Sequence, residues 1–470
     1  MNIDCHCRFL SRAGFVLLAA VNFVFASAAF AQVPDLAGAP PEVTVSIGQA
    51  EGAIKPLLGV NCGPLAAGAP GNADLTGAYR KIGVRQVRTH DYYGPLDMAT
   101  MYPDQNADPA RPDSYNFAES DRVFAAILDG GFEPYLRLGD SWNNDPAFPK
   151  PKTRAPQNRA NWVRAAVEVV RHYRRMAGAK LRYVEIWNEP DNRQFWDSNM
   201  REFFMLFDET ARAIKKEFPG LKIGGPGYTP AAALAPQGRK KTADFLAFLR
   251  ERKTPLDFFS WHIYANDPAA FESAARFFRS ELDRHGFKSA GSHLTEYNTE
   301  DGRRDKSVTA AEMRLGGHGA AVITAAWIAL QRAGVDEAAY YRGNDTALNF
   351  PTFYGLFRAD GAPKRAALAF SFWASMASHP ERLRVDAAGN DSNQLWLLAG
   401  RNSAGEAALL AANIGRQAVP FRIAPVAGRV MDGFTLEEIS DSSPGVTRRQ
   451  VKGDSTIIGG YTVQLITFKH

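Results

Sequence analysis

Two glutamates carry the residue types and setting for chemistry. Glu189 closes the run "EIWNE" before Pro190, and Glu296 sits in "HLTEYNTE". Val184, Ile186 and Trp187 suit a strand, and Pro190 would break a helix passing through it. Glu185 and Glu189 are therefore expected at two depths of one strand, not on one helical face. Glu185 should lie deeper, ion-paired with an arginine such as Arg88 or Arg137. Two carboxylates at one cavity suit glycoside hydrolysis, in which one protonates the leaving oxygen and the other attacks or activates water. Either glutamate alone reads as an ion-pair partner. Both at matching strand ends, beside His, Tyr, Asn and Trp, read as a site.

The elements that must hold them follow from pattern. Short β-rich runs at 57–61, 84–90, 132–139, 182–189, 221–227, 257–265, 292–298 and 337–342 alternate with amphipathic helical stretches such as "RANWVRAAVEVVRHYRRMAG". Eight such repeats predict an α/β chain folded as a (β/α)₈ TIM barrel over 55–380. No GxGxxG opens a helix after the first strand, which removes the main signal for a dinucleotide-binding sheet. From 381 to 470 short alternating runs predict a small accessory C-terminal domain, β-sandwich-like. Residues 32–54 form an N-terminal segment, within which 42–52 are a candidate extra strand for that domain.

Period-two alternation sorts the strand faces. Arg88 with His90, Tyr135 with Arg137, His262 with Tyr264, and Glu296 with Asn298 share faces, implying a polar lumen. The same parity groups Trp187 with Glu185 and Glu189 and sends Asn188 the other way. Trp187 and Trp261 read as core, whereas Trp142, in the "GDSWNNDP" loop, is better placed to stack on a sugar ring. His262 reads equally as a satisfied barrel histidine or a substrate contact. Cys62 has no evident base and reads as a small buried side chain.

The chain has 470 residues with a formal net charge of +5. Arg8 and Arg12, the apolar run 14–30 and "AFA" at 29–31 predict a signal peptide over 1–31. A membrane span is the competing reading, but the run is short and broken by Asn22 and Ser27. Cleavage after Ala31 would remove Cys5 and Cys7, leaving Cys62 alone and no intramolecular disulfide. The expected product is exported, periplasmic or secreted, without stable membrane insertion. Its charge is too mild and scattered for a nucleic-acid partner. No HExxH, paired CxxC or EF-hand pattern occurs, so neither a catalytic metal nor a cofactor is expected.

"EIWNEPDN" and "HLTEYNTE", with "VRTHDYYGPLD", "GFEPYLRLGDS", "DFFSWHIYA" and "YYRGND" in order between 55 and 380, resemble glycoside hydrolase family 39. That family holds β-xylosidases and α-L-iduronidases. The resemblance implies a retaining (β/α)₈ glycosidase with Glu189 as acid/base and Glu296 as nucleophile. It implies that Asn188 binds the sugar 2-hydroxyl, which requires the strand to twist or end there. It places His90, His262 and Tyr264 around the sugar or the nucleophile. Arg342 matches a position that binds a substrate carboxylate in iduronidases, with a structural ion pair as the alternative. The implied substrate is a β-xyloside-like, α-L-iduronide-like or polysaccharide carbohydrate. An endo-glycanase of another family in the same clan, or a catalytically silent carbohydrate-binding barrel, are the competing readings.

Overall fold

Eight parallel strands pair in chain order and close on themselves in the computed structural model, which describes residues 43–65, 72–142, 155–300, 302, 306–390, 394–424 and 431–469. The segment expected as a signal peptide lies outside the described residues. Strand β1 (Val43–Ala53) precedes the barrel. The staves are β2 (Gly59–Asn61), β3 (Gln86–Arg88), β4 (Glu133–Leu138), β5 (Tyr183–Ile186), β6 (Lys222–Tyr228), β7 (Phe258–Tyr264), β8 (Gly291–Asn298) and β9 (Glu337–Tyr340). Pairing of β2 with β9 closes the ring.

Several staves are shorter than their sequence runs. β3 stops at Arg88 and β5 at Ile186, because the backbone turns left-handed just beyond them: φ is 58° at Asp91, 79° at Trp187 and 46° at Glu189. Non-glycine residues rarely adopt such angles, and they cluster where surrounding contacts enforce them. Here they mark the mouth of the barrel.

The outer helices follow the expected periodicity. Helix Arg159–Ala177 is capped by Asn158, whose side chain accepts from the Asn161 amide, and helix Met200–Glu217 is capped likewise by Asn199. A cap of this type contributes about 1 kcal/mol by satisfying an orphan amide. Trp162, Val169 and Tyr173 of the first helix, and Phe203, Phe207 and Ile214 of the second, are buried with the outward side chains Val184 and Ile186 of β5.

After helix Arg365–Ala377 come β10 (Glu381–Ala388), β11 (Leu395–Arg401), β12 (Glu406–Asn413), β13 (Val419–Ile423), β14 (Gly433–Ile439), β15 (Thr447–Lys452), β16 (Ser455–Ile458) and β17 (Thr462–Lys469). They do not form two sheets. One nine-stranded sheet runs β15-β14-β17-β12-β11-β10-β1-β13-β16, with β1 antiparallel to β10 and parallel to β13. Phe421 and Ile458 near one edge share an apolar cluster with Phe434 and Leu436 near the other, so the sheet curls to enclose its own core. β12 explains the contact with the barrel. Ala407, Leu409 and Ala411 join that cluster, while Ala408, Leu410 and Ala412 join the barrel's core. A strand buried on both faces reads as a continuous apolar run, as "AALLAA" does.

Candidate active site

Arg88 is fully buried at the end of β3 and organises the mouth. Its Nε donates to Glu185 Oε2 at 2.6 Å and Nη1 to Glu296 Oε1 at 2.8 Å. Nη1 also reaches Asn61 Oδ1 at 2.8 Å, and Nη2 reaches Asn188 Oδ1 at 2.7 Å. Glu185 additionally accepts from Thr295 Oγ1. The deep carboxylate thus pairs with Arg88. Arg137 is spent elsewhere, on Asp97.

Glu296, on β8, accepts hydrogen bonds from Arg88 and Tyr264 and has His90 beside it. Arg88 and His90 Nε2, at 3.1 Å, address Oε1, and the Tyr264 hydroxyl addresses Oε2 at 2.9 Å. Burial pushes its carboxyl above the ordinary value, and nearby Glu189 and Asp91 add to that; His262 and Arg88 pull it back. Glu189 follows β5. Its Oε1 lies 3.0 Å from His262 Nδ1, and its Oε2 accepts from Asn192 Nδ2 at 2.9 Å. His262 Nδ1 is also 3.5 Å from Glu296 Oε2, so this imidazole edge stands between the two carboxylates. Burial lowers the His262 pKa and favours the neutral ring, with the proton assigned to Nδ1 by its acceptor partners.

Donor atoms of Glu189, His262 and Glu296 all lie within 4.8 Å of one another. Retaining glycosidases hold their two carboxyl groups about 5–5.5 Å apart, whereas inverting enzymes need about 6.5–9.5 Å to admit a water. An oxygen of each carboxylate within 4.8 Å of the other puts the pair on the short side of that division. These three side chains are also the set, among the described residues, that could hold a metal ion.

A cavity of about 410 Å³ opens over these groups, lined in part by His90, Asn188, Glu189, Tyr264, Glu296 and Trp142. Asn188 reaches it because β5 has already ended; parity stops applying at the left-handed Trp187. That turn sends the Trp187 ring outward instead, against Trp162 and Trp196. Trp261 also lies outside the cavity, packed on Phe278. With Asn188 Oδ1 committed to Arg88, its buried Nδ2 has no protein partner.

Arg342 corrects the sequence expectation of a substrate-binding role. It is fully buried and does not line the cavity. Its Nη1 donates to Tyr93 Oη at 2.7 Å and its Nη2 to Cys62 Sγ at 2.9 Å, which also explains why Cys62 is buried. Asn298 likewise works structurally, donating to the Tyr341 and Tyr354 carbonyls. Sequence reasoning missed Asp91, Asn192, Tyr341 and Tyr354 in the cavity wall. Asn192 had a signal, since it lies one turn after Glu189. The others stand on loops where no periodicity applies.

Residues 61–282 match the family model described as "Glycosyl hydrolases family 39". Over that stretch, a little under half of the chain, the sequence is similar to glycosyl hydrolase family 39. The family 39 match includes Glu189 and stops short of Glu296, whose assignment therefore rests on the geometry above. A β-xylosidase of Geobacillus stearothermophilus is 29% identical over 248 residues, 47% of this chain and 47% of that protein. One from Caldicellulosiruptor saccharolyticus is 27% identical over 247 residues, 48% of each. The aligned region spans about half the length of these curated relatives. Among solved structures, a glucosidase from Croceicoccus marinus superposes with a TM-score of 0.72 at 23% identity, covering 91% of this chain and 99% of that one. A monomeric beta-xylosidase from Caulobacter crescentus CB15 gives 0.67 at 19% identity, with coverages of 91% and 99%. At these identities the structures establish a shared fold.

Proposed function

We propose that this chain hydrolyses O-glycosidic bonds with retention of anomeric configuration. The observation that carries the reading is the spacing of Glu189 and Glu296 across one cavity, within 4.8 Å for the facing oxygens. Two carboxylates so close favour a single shared negative charge. The donors around Glu296 favour keeping that charge there, which leaves the proton on Glu189.

Glu296 attacks the anomeric carbon and forms a glycosyl ester as the bond to the leaving oxygen breaks. Glu189 gives its proton to that oxygen. Glu189, now a base, then takes a proton from water, which attacks the same carbon and releases Glu296. Arg88 and Tyr264 hold the nucleophile in line. His262 and Asn192 hold the acid. The free Nδ2 of Asn188 is placed to donate to the sugar 2-hydroxyl.

For the substrate, relatives named β-xylosidase and glucosidase favour a neutral glycoside over an iduronide, in keeping with Arg342 lying buried outside the cavity lining. Polysaccharide chain ends fit the same chemistry. The basic, apolar and small-residue pattern of 1–31 supports export to the periplasm or medium; N-terminal sequencing of the secreted protein checks this. A panel of aryl glycosides, with the product anomer followed by NMR, tests the main reading. Retention is expected, and Glu296→Ala should abolish turnover. An inverted product would remove Glu296 as nucleophile. Binding without hydrolysis would favour a silent carbohydrate-binding barrel.

A further inference from the structure

The cavity holds a third inner carboxylate that the acid and nucleophile roles leave unused. Asp91 directly follows His90, is 1% exposed and lines the cavity. Its Oδ1 accepts from the Trp142 backbone amide at 2.9 Å, and its Oδ2 accepts from the Tyr341 hydroxyl at 2.5 Å. His90 Nε2 stands 3.3 Å from Asp91 Oδ1 and 3.1 Å from Glu296 Oε1. One imidazole edge therefore links Asp91 to the proposed nucleophile, so a sugar ring held for attack by Glu296 comes within its reach.

A carboxylate has room for about four hydrogen bonds, and these contacts leave acceptor capacity on a group that faces the cavity. Among the described residues the only basic side chain within 4 Å of its carboxylate is His90. Burying such a group is costly unless donors complete its shell. Sugar hydroxyls are donors of that kind; a sugar carboxylate is not. The described residues lining the cavity include no lysine or arginine to receive one. Arg342 is fully buried against Tyr93 and Cys62, outside the cavity lining, and Arg88 is committed to Glu185, Glu296, Asn61 and Asn188.

Resting on the glycosidase reading, we infer that Asp91 is a specificity-determining residue. It accepts hydrogen bonds from hydroxyls of a neutral sugar ring seated against Glu296 and turns away a ring that carries a carboxylate. The purely structural alternative is that Asp91 only pins Trp142 and Tyr341 in place.

The test is a cycle between enzyme and substrate. Wild type and Asp91→Asn are assayed on aryl β-xyloside, β-glucoside, α-L-iduronide and β-glucuronide, and on monodeoxy forms of the better neutral sugar. Wild type should prefer the neutral sugars. Asp91→Asn should lose about 10- to 100-fold in kcat/KM on the parent sugar and far less on one deoxy form, because the bond lost is then already missing. Equal losses on every substrate would reduce Asp91 to a structural pin. A wild type that prefers a uronide would also overturn the inference, while leaving the hydrolase reading intact if Glu296→Ala still abolishes that activity. Absence of hydrolysis on the whole panel sinks both. Should Asp91→Asn fail to fold, the wild-type preference between neutral and acidic sugars still decides: a neutral preference with a large penalty for a deoxy position other than the 2-position, which Asn188 already accounts for, supports the inference, and its absence overturns it.

Discussion

The barrel lumen has a floor and a mouth, and the two are built from the same alternation to opposite ends. On the floor Tyr135, Tyr183, Phe258 and His293 converge. Tyr135 Oη lies 3.0 Å from His293 Nδ1, and the imidazole stacks on Phe258 with ring centroids 4.3 Å apart. Burial pushes the His293 pKa down to about 3, so the floor is neutral at any ordinary pH. At the mouth, Arg88, Glu185, Glu189 and Glu296 bring charges together, each held by hydrogen bonds, and part of that shell is left open to the cavity. Burial alone therefore does not mark function. A satisfied buried polar group is structure; one whose remaining capacity faces a cavity is positioned for a ligand.

Breaking the mouth should cost most. Arg88→Met leaves Glu185 buried without its cation, and removing one partner of a buried pair costs about 3–5 kcal/mol. Thermal unfolding should show a large fall in Tm, and kcat/KM should drop by roughly 10³-fold or more as the nucleophile loses its main donor. A variant with near-normal turnover would refute the organising role of Arg88.

A matched pair of hydroxyl deletions sharpens the contrast. Tyr264→Phe removes the donor to Glu296 Oε2 and should lower kcat by about 10- to 100-fold with little change in stability. It should also move the acid limb of the pH profile upward, since a donor to the charged form holds a carboxyl pKa down. In wild type that limb reports ionisation of Glu296. Because burial raises its pKa, activity should be lost as pH falls through a value above the ordinary 4.5. A limb at or below 4.5 would contradict this. Tyr135→Phe, on the floor, should do the reverse: lower stability by about 1–3 kcal/mol through the unpaired His293, and leave kcat within about two-fold. Equal effects of the two deletions on turnover would erase the distinction between floor and mouth.

Within the strands the sequence was readable. Alternation placed Arg88, Tyr135, Glu185, His262, Tyr264 and Glu296 in the lumen because hydrogen-bonded staves enforce period two. It failed beyond their ends, where left-handed backbone at Asp91, Trp187 and Glu189 cancels parity. Trp187 and Asn188 therefore exchanged the sides that alternation gave them. Tyr354 entered the wall from a loop folded back by long-range bonds: Asn298 Nδ2 and the Arg342 amide both donate to its carbonyl. No local pattern encodes such contacts. The curled single sheet was also hidden, since its order depends on pairings between strands far apart in sequence.

The central claim is that Glu296 becomes covalently bonded to the sugar. Incubation with an activated 2-deoxy-2-fluoro glycoside of a sugar the enzyme cleaves, followed by peptide mass spectrometry, tests it directly. The fluorine slows breakdown of the glycosyl ester more than the good leaving group slows its formation. One sugar should be found on the peptide containing Glu296 and none on the Glu296→Ala protein. A label on the Glu189 peptide, or turnover that never yields a labelled protein, would contradict the account.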